Sequence, residues 1–462
     1  MQSPPDNSGP LQRDYRLLLL TADLAAAVGV LAVVMAADRG QGLLTASYFA
    51  LLLLPLCWCG ALFLGGAYTL RPDRPWPVLT YQVLRGLLTG TIAAGGLAAL
   101  LPFLHALPPE RYLSAAGLML PVAVALRLAA LRWLPREMLT ERYLVLAGGE
   151  NTRLFWASLT GVPLPAHVQI VGAVTADGQS SLPGPGLPCL GSTSELAEVV
   201  RAHHVHALVV VAPTLAADEV RAVLKCEEGG VRVVSAFQAH EELTRRTPLF
   251  EHNGAGGAGL VAPRHSKYAT RLKRAVDLAV ALLLLPLSVV LLGLAALAVL
   301  LDDGAPVFYR QERVGRDGRH FRLLKVRTMF RDAEADTGPI WAAQHDPRVT
   351  RVGRWLRTLH LDELPQLFNI LRGDMSLVGP RPERPAFVED FSRQIPYYEQ
   401  RLLVRPGLTG WAQVNRRSDR DLEDVLEKLR HDLYYLRHLS FSLDLQILLA
   451  TLGVVLSRPR AR

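Results

Sequence analysis

Hydrophobic positions come in long unbroken runs near the N-terminus of this chain and in short ones further on. The runs Leu17 to Ala37, Leu43 to Leu64, Val78 to Leu104 and Leu113 to Leu134 are each long enough to cross about 30 Å of hydrocarbon as a helix. They predict an N-terminal four-helix transmembrane bundle over residues 1–140. Arg13 and Arg16 precede the first run, Arg71 and Arg74 separate the second from the third, and Arg132, Arg136 and Arg142 follow the fourth. The two remaining loops are poorer in charge, so the positive-inside rule places both ends of the bundle in the cytoplasm. The polar start lacks a small-residue cleavage site, and no cleaved signal peptide is expected. Asp23 and Arg85 lie in or near spans, where they read as functional groups, as a buried structural pairing or as headgroup contacts.

The pattern changes at about Tyr143. Short β-rich runs beginning at Tyr143, Val168, Ala207 and Val231 alternate with polar, helix-length stretches such as Thr193 to His203 and Ala217 to Glu228. This alternation predicts a central α/β Rossmann-like domain over 141–250 with a small parallel sheet. Only Gly148 and Gly149 follow its first strand, so the dinucleotide fingerprint lacks its third glycine, and a regulatory or dimerising role is favoured over cofactor binding. A glycine-rich linker over 251–266 leads into the remaining unit, 267–462.

That unit opens with one more apolar segment, Leu278 to Leu301. Lys267, Arg271, Lys273 and Arg274 lie before it and Arg310, Arg313, Arg316 and Arg319 after it, so both flanks favour the same membrane face. Pro286 is expected to break the helix, and a bent helix that re-enters the face it left satisfies both facts.

Composition fits a membrane protein: 462 residues, 50% hydrophobic, with a mean hydropathy of +0.20. A net charge of +8 suits contact with anionic headgroups and phosphorylated substrates. Nucleic acid is not an expected partner, because the arginines cluster in motifs and at membrane flanks instead of along one stripe. Cys57, Cys59, Cys189 and Cys226 form neither a disulfide framework nor a zinc spacing.

The chemistry concentrates between Leu361 and Pro385, LDELPQLFNILRGDMSLVGPRPERP, where adjacent carboxylates, Asp362 and Glu363, lead into an arginine-rich loop. By itself such a pair more often marks a solvated helix end than a site. Carboxylates beside guanidinium groups are nevertheless what phosphate chemistry needs: one can attack or accept a proton, the other can hold a cation, and arginines take up phosphoryl charge. Pro365 is tolerated in a first helical turn, so the helix carrying the pair is expected to begin near Leu361, with both carboxylates at its positive end.

Around this stretch stand YRQERVGRDGRHFRLLKVRTM from Tyr309, RVGRWLRTLH from Arg351, RPGLTGWAQVN from Arg405 and HDLYYLRHLSFSLDLQILLATLGVVL from His431. In this order and spacing the segments resemble the catalytic domain of the polyprenyl-phosphate hexose-1-phosphate transferases, the monotopic phosphoglycosyl transferases of bacterial glycan assembly, from roughly Lys267 to Leu456. The resemblance implies a C-terminal α/β monotopic catalytic domain with a re-entrant membrane helix kinked at a Ser-Pro step, which here reads Leu285-Pro286. It implies transfer of a sugar 1-phosphate from a UDP-sugar to undecaprenyl phosphate in the cytoplasmic membrane, and a homodimer in the lipid bilayer.

By the same resemblance Asp362 is the nucleophile, expelling UMP, and Glu363 helps hold Mg²⁺ with Asp362 beside it. Lys325 and Arg327, and Arg381, Pro382 and Glu383, match positions near the phosphates and the nucleotide. Arg357 recurs with Arg351 and Arg354 at helical spacing, facing headgroups or the lipid phosphate, or simply solvent. Arg405 starts a tight turn that closes the pocket, and Asp374 and Asp432 serve in positioning or proton transfer, or in a turn or cap. Ser440 to Leu456 reads as an interfacial helix. Two other classes stay open, a nucleotide-sugar oxidoreductase or epimerase centred on the middle domain and a non-catalytic membrane scaffold; the absence of a Tyr-x-x-x-Lys pair counts against the first, and the intact motifs against the second.

Overall fold

A computed structural model of the chain describes residues 10–36, 47–72, 75–100, 109–176, 187–211, 215–249, 267–331, 333, 346–415 and 421–456. The expected linker over 251–266 lies outside the described residues. The chain divides into two units, Met1–Thr244 and Arg245–Arg462.

The first unit opens with α1 (Pro10–Ala36), α2 (Ser47–Leu64), α3 (Trp76–Leu100) and α4 (Pro109–Trp133), followed by the short α5 (Arg136–Leu139). α1 packs on α2 and α4, and α3 packs on the same two, which closes a four-helix ring around Leu31, Leu54, Trp58, Leu62, Leu87 and Met119. A Cβ at Gly90 would stand 2.7 Å from the Cys57 carbonyl oxygen, so α2 and α3 approach as closely as they do because position 90 is glycine. Large apolar side chains such as Leu17, Leu64 and Ile92 point outward, while Asp23 and Arg127 are fully buried and pair at 2.7 Å. Apolar outside and ionic inside is the arrangement of a lipid-facing bundle. Among the described residues, Tyr15–Val34, Glu110–Trp133 and Arg271–Asp303 are long and apolar enough to cross a membrane, while Leu53–Leu64 is a shorter apolar helix. Among the described residues, two of the four expected N-terminal spans thus meet both the length and the hydropathy of a membrane crossing.

The remainder of this unit is a five-stranded parallel sheet in the order β3-β2-β1-β4-β5, formed by β1 (Glu141–Leu146), β2 (Val168–Thr175), β3 (Cys189–Ser192), β4 (Ala207–Val210) and β5 (Arg232–Ser235). Helices α6 (Gly149–Leu159), α7 (Leu196–Ala202), α8 (Ala217–Glu228) and α9 (Ala236–Thr244) connect and follow the strands. This is the doubly wound order expected of a Rossmann-like domain. β3 is a strand that the hydrophobic pattern did not reveal, because its four residues sit half-buried at the sheet edge. At the end of β1 the Gly148 amide donates to Thr152 Oγ1 at 2.8 Å, so an amide that a dinucleotide phosphate would use is already taken.

The second unit begins with α10 (Lys267–Asp303), whose polar start is anchored three times. Lys273 pairs with Asp444 at 2.7 Å, Arg274 donates to the Ile370 and Leu371 carbonyls, and Asp277 accepts from Ser376 Oγ and the Leu377 amide. The helix runs through Pro286 without the break expected there. Pro286 leaves the Leu282 carbonyl without its i+4 donor, and nearby Ser288 Oγ donates to the Leu284 carbonyl at 2.8 Å.

Next come the antiparallel pair β6 (Phe308–Val314) and β7 (His320–Val326), α11 (Arg351–Thr358), a 3₁₀ turn at Leu361–Glu363 and α12 (Gln366–Arg372). β8 (Ser376–Val378) pairs in parallel with β9 (Gly407–Thr409), and α13 (Pro385–Gln394), a 3₁₀ segment Tyr398–Leu403, α14 (Trp411–Asn415), α15 (Leu422–Arg437) and α16 (Phe441–Leu456) complete the unit. The stretch from Arg405, expected as a tight turn, thus supplies a strand. A Cβ at Gly353 would collide with the Thr328 carbonyl oxygen, so α11 lies directly on the chain that leaves β7.

The Asp23–Arg127 pair sets an expectation for the bundle. Asp23→Ala leaves a buried guanidinium unmatched and should lower stability in detergent by about 3–5 kcal/mol, whereas Asp23→Leu combined with Arg127→Met should recover most of that loss. Thermal unfolding of the single and double variants checks it.

Candidate active site

Asp362 and Glu363 do not lie on a regular helix. Pro365 has no N–H to give the Leu361 carbonyl, which instead takes the Leu364 amide at 3.3 Å, so the segment winds as a 3₁₀ turn and α12 starts only at Gln366. The helix expected from Leu361 is shortened accordingly. The turn is entered through His360 at φ 55 and is held against β7 by Asn369, a fully buried residue of α12. The Asn369 side chain accepts from the Leu324 amide at 3.1 Å and donates to the Arg322 carbonyl at 2.9 Å.

This staple places Lys325 Nζ 3.1 Å from Glu363 Oε1, and Arg381 Nη2 reaches the same oxygen at 2.7 Å. Burial would raise the Glu363 pKa, but Arg381 and Lys325 overcome it and hold the carboxyl far below the usual range. Asp362, its neighbour, is buried without a direct contact of this kind to either cation. Burial pushes its pKa up, and Lys325, Arg357 and Arg381 offset the shift only in part. Burial likewise lowers Lys325, against the pull of Glu363. Two adjacent carboxylates therefore differ in kind: Glu363 is firmly ionised, while Asp362 is poorly solvated. A carboxylate stripped of water is the better nucleophile of the two, and the cations around it suit a phosphoryl group.

Arg357, on α11, donates from Nε to Thr328 Oγ1 at 2.9 Å and joins the charges around Asp362, while Arg351 and Arg354 of the same helix are exposed. Arg381, Pro382 and Glu383 lie in the loop between β8 and α13. Glu383 is bonded by Lys428, with Arg313 at 3.7 Å and Arg401 at 4.0 Å, and these cations overcome burial to hold its pKa at about 2. Asp432 is ion-paired to Arg401 at 2.7 Å.

Three expected site residues face elsewhere. Arg327 binds the Asp303 and Gly304 carbonyls at 3.0 and 2.7 Å and pairs with Asp303, closing the C-terminal end of α10. Asp374 occupies the turn that ends α12, its amide on the Asn369 carbonyl, and Arg405 Nε caps the same end through the Gly373 carbonyl. Sequence reading missed Asn369, Lys428 and Arg401. Asn369 could have been noticed as one of two amides, with Gln366, on the helix face of Leu367 and Ile370, and Lys428 by its i,i+4 spacing from Asp432 on α15.

The donors fit a Mg²⁺ of the kind shared with a substrate. Such an ion takes one or two carboxylates and leaves its other positions to phosphates and water. Both Glu363 ion pairs fall on Oε1, Asp362 stands next to it, and among the described residues no group of three or more His, Cys, Asp or Glu side chains could cage a metal alone.

Residues 268–458 match the family described as bacterial sugar transferase. Over 248 residues the chain is 39% identical to the UDP-N-acetylgalactosamine-undecaprenyl-phosphate N-acetylgalactosaminephosphotransferase of Aeromonas hydrophila, covering 54% of this chain and 58% of that protein. It is 45% identical over 192 residues to the UDP-glucose:undecaprenyl-phosphate glucose-1-phosphate transferase of Caulobacter vibrioides, covering 41% of this chain and 71% of that one. A protein of the same name from Escherichia coli is 44% identical over 205 residues, 44% of each chain. The chain belongs to the bacterial sugar transferase family. It spans little more than half the length of the Aeromonas relative.

The opposite environments of the two carboxylates predict opposite stability effects. Asp362 keeps its proton to higher pH when folded than when unfolded, so its ionisation costs stability as pH rises above about 4. Asp362→Asn should raise the thermal midpoint near neutral pH, with the gain vanishing below about pH 4. Glu363 has the reverse sign: its contribution is present above about pH 4 and fades as pH falls below that value. Glu363→Gln should lower the midpoint near neutral pH and do so less in acid. Thermal scans of both variants across this range test the pair.

Proposed function

We propose that this chain transfers a hexose 1-phosphate from a UDP-sugar to undecaprenyl phosphate, the first membrane step of capsule, O-antigen or exopolysaccharide synthesis. The observation that carries the proposal is the buried Asp362 beside an ionised Glu363, within a ring formed by Lys325, Arg357 and Arg381, inside the region that matches the family.

An Asp362 carboxylate oxygen attacks the β-phosphorus of the donor. The bond from that phosphorus to the oxygen bridging the two phosphates breaks, UMP leaves with the bridging oxygen, and the sugar phosphate remains as an acyl phosphate on Asp362. A phosphate oxygen of undecaprenyl phosphate then attacks the same phosphorus, forming the diphosphate-linked lipid and returning the carboxylate. No proton transfer is required in either half. Lys325, Arg357 and Arg381 take up charge on the phosphoryl oxygens, Arg381 and Arg357 through planar guanidinium groups and Lys325 as a point charge. Glu363, with Asp362, would hold a Mg²⁺, which supplies charge to offset that of the diphosphate when bound.

The N-terminal bundle spans the cytoplasmic membrane in this reading, with both ends inside. The basic flanks of α10 favour the same face for both its ends, which a helix unbroken at Pro286 meets only by bending within the membrane or lying shallow in it. The catalytic unit then meets UDP-sugar in the cytoplasm and the lipid phosphate at the surface. The exposed Arg351, Arg354 and Trp355 of α11 suit that headgroup layer.

Wild-type enzyme given UDP-sugar and Mg²⁺ without lipid should release about one UMP per site and gain a sugar phosphate on the peptide containing Asp362. EDTA should suppress both signals. Asp362→Asn should abolish them, and Lys325→Met should slow UMP release about 100- to 1,000-fold. UMP that appears only after undecaprenyl phosphate is added, with no modified peptide, would instead mean direct attack by the lipid.

A further inference from the structure

The loop that carries Arg381, Gly379 to Pro385, contains three prolines and so has few amides of its own to anchor it. Its carbonyls are gripped from outside instead, four in succession. Gly407 N bonds the Pro380 carbonyl at 2.9 Å, Arg401 Nη2 the Arg381 carbonyl at 3.0 Å, Arg313 Nη1 the Pro382 carbonyl at 2.9 Å and Val314 N the Glu383 carbonyl at 2.9 Å. The second of these acts on the residue whose guanidinium reaches Glu363.

Arg401 is itself immobilised. It is 4% exposed, pairs with Asp432 Oδ2 through Nε at 3.0 Å and Nη2 at 2.7 Å, donates from Nη1 to the Tyr398 hydroxyl at 2.9 Å, and lies 5.3 Å from the centre of the Tyr398 ring. A buried ion pair adds little net stability against apolar residues of similar size. What this one adds is direction: Nε, Nη1 and Nη2 of a planar group are each committed, so the Arg381 backbone has one place to sit.

We propose that Arg401 is a positioning residue that aims the Arg381 guanidinium at Glu363 by holding the Arg381 carbonyl, with Asp432 and Tyr398 as its supports. The inference rests on the reading of the site as a phosphoglycosyl transferase. It gives Asp432 the role of an anchor, reached through α15, and leaves proton transfer aside.

The test is a double-mutant cycle on the full-length protein, read by UMP release from a UDP-sugar. Arg401→Lys keeps a cation beside Asp432, but one ammonium cannot also serve Tyr398 and the Arg381 carbonyl in a single plane. A displaced Arg381 should lower turnover about 100-fold. The loss should fall on kcat with KM for the UDP-sugar nearly unchanged, because the charge that Arg381 takes up develops in the transition state. In an Arg381→Ala background the same substitution should cost less than about twofold. Tyr398→Phe, which removes one support without touching a charge, should act in the same direction more weakly and carries the cycle if Arg401→Lys does not fold. Wild-type turnover in Arg401→Lys, or an undiminished loss in the Arg381→Ala background with either variant, overturns the inference while the transferase reading stands. Wild-type protein that releases no UMP from any UDP-sugar overturns the reading and the inference with it.

Discussion

A single carboxylate oxygen, Glu363 Oε1, ties together three segments of the catalytic unit that lie far apart along the chain. Lys325 comes from the end of β7, Glu363 from a 3₁₀ turn and Arg381 from a proline-rich loop. Two cations confined near one another repel, and the shared anion is what allows both to stay in a buried place. Asp362 inherits its surroundings from that arrangement. The cations that Glu363 gathers are also the ones that keep Asp362 within reach of ionisation against the effect of burial. A site that must accept a highly charged donor is thus assembled around a negative charge that does not itself need to react.

The two carboxylates were visible in the sequence, as were Lys325, Arg357 and Arg381, because each sits in a motif with unusual spacing and charge. Their separate roles come from the family resemblance, but the partners that each one meets do not. Adjacent residues look alike in a string of letters, and only the fold decides that one side chain meets Lys325 and Arg381 directly while the other is buried beside them. Arg327 illustrates the opposite error. It shares its motif with Lys325 but lies two residues further on, past the point where β7 ends, and it closes α10 instead. Arg401 and Lys428 escaped notice because a surface arginine and a buried one carry the same letter. The contacts of Arg401 with Arg381, Glu383 and Asp432, and of Lys428 with Glu383, run between segments far apart in the chain.

The first unit shows a similar balance. Its long apolar runs announced helices, and alternating short ones announced a parallel sheet, both of which rest on periodicity. The buried Asp23–Arg127 pair and the edge strand β3 depend on what packs beside them, and no local pattern encodes either. Gly148 carries the mixed case: the glycine is readable, but its amide is turned to Thr152, a choice made by the fold.

The polar start of α10 is bonded to three different parts of the catalytic unit: α16 through Lys273, the end of α12 through Arg274, and β8 through Asp277. α10 also packs on α11 and α12, which flank the reactive turn, so the position of the turn is tied to that of the helix. If α10 sits in lipid, its tilt answers to the thickness of the hydrocarbon around it. Altitude of Asp362 over the headgroup plane then becomes a property shared between the protein and the bilayer, and a thinner or thicker membrane would retune how readily an acceptor phosphate is reached without altering any residue of the site.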